Sequence, residues 1–260
     1  MTTLSIIIVS FNARADLVRC LESIDAAPPV IPCEILVVDN QSTDGSAEAA
    51  RSRPTVRVIE AGANLGFARA NNAGIRATTG RLLLLLNSDT VVPPGAIDAL
   101  VATLDSRPDV AVVGPRLVDG HGQAELSFGS MISPLNELRQ QRRSRQATDR
   151  MTRELRYPDW VSGACLLVRR ADAEAVGLLD ERYFMYTEDV DFCAAIRQRG
   201  RRVLFTPDVE VVHLRGRSAA SAPAATRAAY RRSHLAFYEK HHPAWVPLLK
   251  LYQWLRGLVV

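Results

Sequence analysis

No GxGxxG follows the first apolar run of this chain, no CxxC pair occurs, and no stretch approaches the ~20 apolar residues of a membrane span. Internal repeats and low-complexity linkers are missing too. Each absence narrows the field. The missing glycine pattern counts against a dinucleotide-binding Rossmann domain, since the turn after the first strand reads SFNAR. Cysteine is scarce: Cys20, Cys33, Cys165 and Cys193 are widely spaced among apolar neighbours. They read as small buried residues rather than disulfides or zinc ligands. The opening MTTLSIIIVSFNARAD has no basic stretch before its apolar run and no small-residue cleavage site. It reads as a first strand and not as a signal peptide, which makes a cytoplasmic protein the expectation.

What is present is ordinary globular composition over 260 residues, 47% hydrophobic and 23% charged. That suits one large domain, or one domain with appendages. A formal net charge of +4 fits an anionic substrate or an anionic membrane surface and proves neither.

The stretch RLLLLLNSDT, residues 81–90, is the most informative. Five consecutive leucines cannot alternate in and out, so a strand made of them is covered on both faces. Ligands of open α/β sheets bind at the carboxyl ends of strands, where Asp89 falls. Around it the chain alternates: a strand at 4–11, a helix at 15–24 with Leu17, Cys20, Leu21 and Ile24 on one face, and a strand at 33–40 ending near Asp39. STDGSAEAARS follows with Ser, Thr and Asp as helix caps, then the strand TVRVIEA and a helix over 66–79. PPGAIDALVATLDS is a helix begun by prolines, and DVAVVGPRL a further strand. This rhythm predicts a parallel sheet flanked by helices.

From 127 to 156 the pattern breaks into Arg- and Gln-rich sequence, either a solvated segment or an acceptor-side flap. WVSGACLLVRR, residues 160–170, reads as one apolar strand with Trp160 at its head. VLFTPDVEVVH reads as two short strands about a Pro-Asp turn. The tail reads as helices, and HPAWVPLLKLYQWLRGLVV mixes Trp, Leu, Lys and Arg as an interfacial segment does. Packing back on the core is the competing reading.

Among the acids, Asp39, Asp44, Asp89 and the Glu188, Asp189, Asp191 group stand out. Asp39 and Asp89 follow apolar strands and should converge on one crevice, unless both merely cap helices. Glu188, Asp189 and Asp191 open a helix, where acids also suit the macrodipole. Beside Tyr183, Phe184, Met185 and Tyr186 they suit a general base in a partly dry pocket. His213 ends the strand VEVVH; with Asp89 and substrate phosphates it would suit Mg²⁺ or Mn²⁺.

SIIIVSFNA, VVDNQSTDGS, NLGFARANNAGI, LLLLNSDT, SGACLLVRR and FMYTEDVDFCAAIRQRG, in that order, resemble the family 2 inverting glycosyltransferases of the GT-A fold, above all rhamnosyltransferase-like members that build bacterial surface polysaccharide. The resemblance implies an α/β fold: a GT-A, Rossmann-like, mostly parallel sheet flanked by helices, with a C-terminal helical extension. The expected division is 1–220 for the transferase domain, with 1–117 as nucleotide-binding half and 118–220 as acceptor half, and 221–260 for the tail. It implies Ser10, Phe11 and Asn12 along the base, Asp39 on the base or ribose, and Asn64, Gly66, Arg69 and Asn72 closing over the nucleotide. Asn87-Ser88-Asp89 takes the place of the family's DxD motif. Asp89, His213 and Asn87 would serve the metal, Ser88 the donor, Asp189 the general base with Glu188 as alternative, and Trp160, Gly163 and Tyr186 the acceptor. The first DxD acid is Asn87 here, which lowers the negative charge offered to a metal. Implied partners are a dTDP- or UDP-linked sugar, a glycan or lipid-linked acceptor and peripheral membrane contact through the C-terminus, at the inner face of the plasma membrane, and no nucleic acid. Arg217, Arg231 and Arg232 are read as solvated. A nucleotidyltransferase and a non-catalytic polysaccharide-assembly subunit are the competing functions.

Overall fold

Leu82, Leu84 and Leu86 point into one apolar cluster while Leu83 and Leu85 point into another, so the leucine strand β4 (Leu82–Asn87) is buried on both faces. The computed structural model describes residues 2–141, 145–214 and 223–255. Strand β1 (Leu4–Ser10) pairs in parallel with β2 (Cys33–Asp39) on one edge and with β4 on the other. Strand β3 (Val56–Glu60) extends the parallel half beyond β2. Helices α1 (Arg14–Ala26) and α4 (Ala96–Asp105) cover the first cluster, with Leu17, Leu21, Leu100 and Leu104 buried. Helices α3 (Gly66–Arg76) and α8 (Glu188–Gln198) cover the second, through Ala68, Ile75, Phe192 and Ile196.

The sheet is mixed, not wholly parallel. Its order is β3-β2-β1-β4-β9-β6-β10-β5. Here β5 is Thr90–Val91, β6 Val110–Val118, β9 Cys165–Arg169 and β10 Arg202–His213. Strand β9 runs antiparallel to both β4 and β6. An apolar strand buried on both faces looks the same in sequence whichever way its neighbours run.

Two strand expectations are corrected. WVSGACLLVRR is not one strand: β8 (Trp160–Val161) pairs with β7 (Phe128–Gly129) in a separate two-stranded sheet, and the chain turns before β9 begins. VLFTPDVEVVH is one strand, β10, whose register slips between Thr206 and Glu210. Pro207, lacking an N–H for the ladder, is bulged rather than turned. The short helix α2 (Ser46–Arg51) starts after Gly45 in the left-handed region, so Gly45 holds the cap position expected of Ser42, Thr43 or Asp44. Asp44 still accepts the Ser46 N–H at 3.0 Å.

Within 127–156 the structure adds α5 (Pro134–Gln141) and α6 (Arg145–Met151), with 142–144 outside the described residues. After α7 (Arg170–Ala175) and α8, the chain ends in α9 (Pro223–His241) and α10 (Val246–Leu255). Phe237 of α9 is fully buried with Tyr183 and Val190, so the tail does pack back on the body. Arg217 lies outside the described residues; Arg232 is exposed and Arg231 half-buried.

Candidate active site

The carboxyl ends of β1, β2 and β4 open on a crevice of about 790 Å³. Twelve of the residues anticipated from sequence line it: Phe11, Asn64, Gly66, Asn87, Ser88, Asp89, Trp160, Gly163, Tyr186, Glu188, Asp189 and His213. One pole carries Asp89 and His213, which β5 and β10 bring together by pairing Thr90 with His213. His213 Nε2 lies 3.3 Å from Asp89 Oδ1 and 3.4 Å from the Asn87 amide. Its Nδ1 lies 3.1 Å from Glu125 Oε2. Burial disfavours the imidazolium, but the hydrogen bonds to Asp89 and Glu125 outweigh it and push its pKa up to about 9.

The opposite wall is the first turn of α8. Asp189 Oδ2 accepts the Gly163 N–H at 2.9 Å and Oδ1 the Val190 N–H at 2.8 Å. Burial nevertheless wins over these bonds and holds its pKa above the usual carboxylate range. Glu188 is pushed up further, by burial and then by the charge of Asp189, and its Oε2 has no hydrogen-bond partner among the described residues. Immediately before them, Tyr186 and Thr187 sit at φ +73° and +65°. Consecutive left-handed residues, one β-branched, cost of order 1–3 kcal/mol each and are held only where the surroundings dictate them. The chain needs this turn to swing the α8 acids into the crevice while the Phe184 carbonyl accepts the Phe67 N–H at 2.7 Å.

Five anticipated residues do not line the crevice. Ser10 and Asp39 are register partners at the strand ends, and Ser10 Oγ and Asp39 Oδ1 are buried without a partner. Asn12 accepts the Thr43 N–H at 2.8 Å and so fastens two loops. Arg69 pairs with Glu181 at 3.6 Å. Asn72 is buried, and its amide spans Leu179 N, Leu179 O and Glu181. From this loop and helix, Asn64, Gly66 and Phe67 line the crevice instead.

Other residues were missed. Asn40 lines the crevice and hydrogen-bonds Gly66 O and Leu65 N. Glu125 reaches His213 from a loop. Glu137 of α5 and Tyr230 of α9 form the far wall, where Glu137 accepts from His234 at 2.7 Å and from the Tyr238 hydroxyl at 2.5 Å.

Asp89 and His213 are the residues here that could hold a divalent cation. Among the described residues no three His, Cys, Asp or Glu side chains group to hold one alone. A carboxylate and an imidazole fit a cation whose other positions are filled by phosphate oxygens and water, with the imidazole favouring Mn²⁺. Glu125 would orient His213 as carboxylates behind metal-bound histidines do.

A crevice at the strand ends of an α/β sheet, lined by an Asp–His pair and a half-buried carboxylate, suits group transfer on a GT-A type fold. Residues 5–176 match the sequence model of glycosyl transferase family 2, and the chain belongs to that family. It is 33% identical over 265 residues to the N-acetylglucosaminyl-diphospho-decaprenol L-rhamnosyltransferase of Mycobacterium tuberculosis, covering 93% of this chain and 86% of that protein. It is 26% identical to a low-salt glycan biosynthesis hexosyltransferase of Haloferax volcanii, covering 81% and 66%. Its fold matches a Pyrobaculum calidifontis mannosyltransferase solved with GDP-Man and Mn²⁺, at a TM-score of 0.64 and 20% identity, over 95% of this chain and 67% of that one.

Proposed function

We propose that this chain transfers a sugar, with inversion, from a nucleoside diphosphate to a hydroxyl of a lipid-linked glycan during polysaccharide biosynthesis. The observation that carries the reading is the half-buried Asp189 carboxylate, fixed by two backbone N–H groups in the same crevice as Asp89 and His213. The Mycobacterium relative makes L-rhamnose the first sugar to test and a polyprenyl diphosphate glycan the first acceptor. dTDP follows as the first nucleotide, with UDP as the second.

Asp189 takes the proton from the acceptor hydroxyl as that oxygen attacks the anomeric carbon. The bond from that carbon to the diphosphate oxygen breaks on the opposite side, and the nucleoside diphosphate departs with the electron pair. A bound Mg²⁺ or Mn²⁺ would neutralise charge on the diphosphate, held by Asp89 and His213 with Asn87 beside them. In this reading Phe11 and Asn40 would serve the nucleotide, and Trp160, Gly163 and Tyr186 the acceptor; all five line the crevice.

Calorimetric titration with dTDP, UDP and GDP, with and without Mn²⁺, tests the donor half. Metal-dependent binding of one of them, lost in Asp89→Ala, supports the reading; no binding to any of them sinks it.

A further inference from the structure

Helix α10 is apolar on two opposite faces. Its inner face, Val246 and Leu249, packs against the cluster of Tyr183, Phe237 and Tyr238 that also takes in Ile132 and Trp160 of the crevice wall. The ring of His242, just before α10, donates to the Ile132 carbonyl at 2.8 Å, so this end of the tail is tied to that wall. The outer face is Leu248, Leu251, Tyr252 and Leu255, spaced i, i+3, i+4, i+7, with Trp245 and Trp254 at its borders. Leu248 is 55% exposed, Trp254 66% and Leu255 69%. Six of the thirteen large apolar side chains exposed among the described residues thus fall in eleven consecutive positions. A stripe this wide normally faces a core, and among the described residues Leu248, Leu251, Trp254 and Leu255 remain at least half exposed.

Charge selects what covers that stripe. Residues 221–260 hold six basic side chains and one acid, Glu239. The formal charge of the whole chain is +4, so the other 220 residues sum to −1 and the entire positive excess sits in the tail. A second copy on this face would bring two cationic tails together, which like charges oppose. An anionic lipid surface instead attracts the cations, accepts leucines into its acyl boundary and seats Trp and Tyr at headgroup level. No helix among the described residues is long and apolar enough to cross a membrane, so α10 would lie on the surface.

We propose that the outer face of α10 is a membrane-surface anchor that sets the acceptor end of the crevice against an anionic bilayer. The crevice wall lies beneath the inner face of this one helix, and a helix is about 10 Å across. An acceptor embedded in the bilayer is therefore presented beside Trp160 without leaving the lipid. Only that last step rests on the proposed lipid-linked acceptor; surface binding does not.

The test is co-sedimentation of the full chain with phosphatidylcholine vesicles, with and without phosphatidylglycerol, which contain neither donor nor acceptor. The outcome is therefore independent of whether the crevice transfers sugar. The parent should bind the anionic vesicles, bind neutral ones less, and be released by salt as surface charges are screened. Leu251→Glu with Trp254→Glu should lower partitioning by about tenfold or more with the melting temperature unchanged. Leu248→Ser with Leu251→Ser gives a milder change of the same sign if glutamate unseats the helix. Parent binding that is absent or equal on both vesicle types, or that the substitutions leave intact, would overturn the assignment. So would a parent dimer in buffer that the same substitutions split.

Discussion

Asp189 Oδ2 accepts the Gly163 N–H at 2.9 Å, which makes the first turn of α8 and the break between β8 and β9 one mechanical unit. The break exists because Gly163 turns its backbone toward that carboxylate. Asp189→Asn should lower transfer by about 10²–10⁴-fold with nucleoside diphosphate affinity held within a factor of two or so, as loss of a positioned base predicts. Parallel turnover and calorimetry measure the two quantities. Equal losses in both would point to a collapsed site.

The pH dependence of transfer follows from burial. Asp189 must be ionised to take a proton, and its pKa stands above the ordinary carboxylate value near 4. Activity should therefore rise with pH through that raised value and disappear below it. A kcat/KM profile whose acid limb falls at or below pH ~4 would contradict the assignment of Asp189 as base.

Glu188 gives a stability prediction of opposite flavour. Its folded pKa lies well above its unfolded value, so folding binds its proton more tightly. The favourable contribution is complete below the unfolded pKa and is lost as pH rises through the folded one. At neutral pH the unfolded group is ionised and folding must either bury that charge or take up a proton, so Glu188→Gln should raise the melting temperature. Near pH 4 and below, where both forms are neutral, the gain should shrink toward zero. Melting curves at the two pH values decide it.

Gly66 sits at φ +78°, and a Cβ there would lie 2.2 Å from the Phe184 carbonyl oxygen. Backbone cannot retreat as a side chain can. Gly66→Ala should cost about 2 kcal/mol or more through strain and clash, and should weaken nucleoside diphosphate binding by parting the two loops that meet there. Denaturant unfolding and calorimetry read the two effects.

Glu125 is predicted to act through His213 rather than on substrate. Glu125→Gln should weaken the Mn²⁺ requirement curve by about 10–100-fold, the usual effect of altering the carboxylate behind a metal-bound histidine. Titration of Mn²⁺ against nucleoside diphosphate binding measures it, with saturating Mn²⁺ expected to restore most of the signal.

Asp191 is 3% exposed and meets His241 at 2.6 Å, Lys240 at 2.8 Å and the Tyr183 hydroxyl at 3.2 Å. Removing its charge takes the acid partner from His241, while Lys240 keeps Asp180 at 2.8 Å. Asp191→Asn should destabilise the chain by about 3 kcal/mol, at the low end for a buried pair because Lys240 is partly wet. Chemical denaturation checks the size.

Much of this was legible because local pattern and global position agreed. The leucine run could only be a strand covered twice, and of the two acids placed after apolar strands Asp89 lines the crevice while Asp39 is buried at its strand end. The helix opening at Glu188 was marked by its own acids. What escaped depends on distance in sequence or on direction. Nothing near Glu125 signals a histidine 88 residues away. Nothing in α5 signals that Glu137 meets His234 and Tyr238 nearly a hundred residues later. The antiparallel course of β9 was hidden because burial, not direction, dictates its composition. Asn72 and Arg69 misled because a polar side chain on α3 can face a ligand or a neighbouring loop, and here Glu181 and Leu179 claim them.

The Asp191 contacts also tie the chemistry to the end of the chain. The last described strand of the sheet ends at His213, yet the first turn of α8 is held by Lys240 and His241, and Tyr230 stands in the far wall of the crevice. Every described strand therefore precedes the segment that finishes the crevice, so a chain cut short before α9 would carry those strands without the complete site.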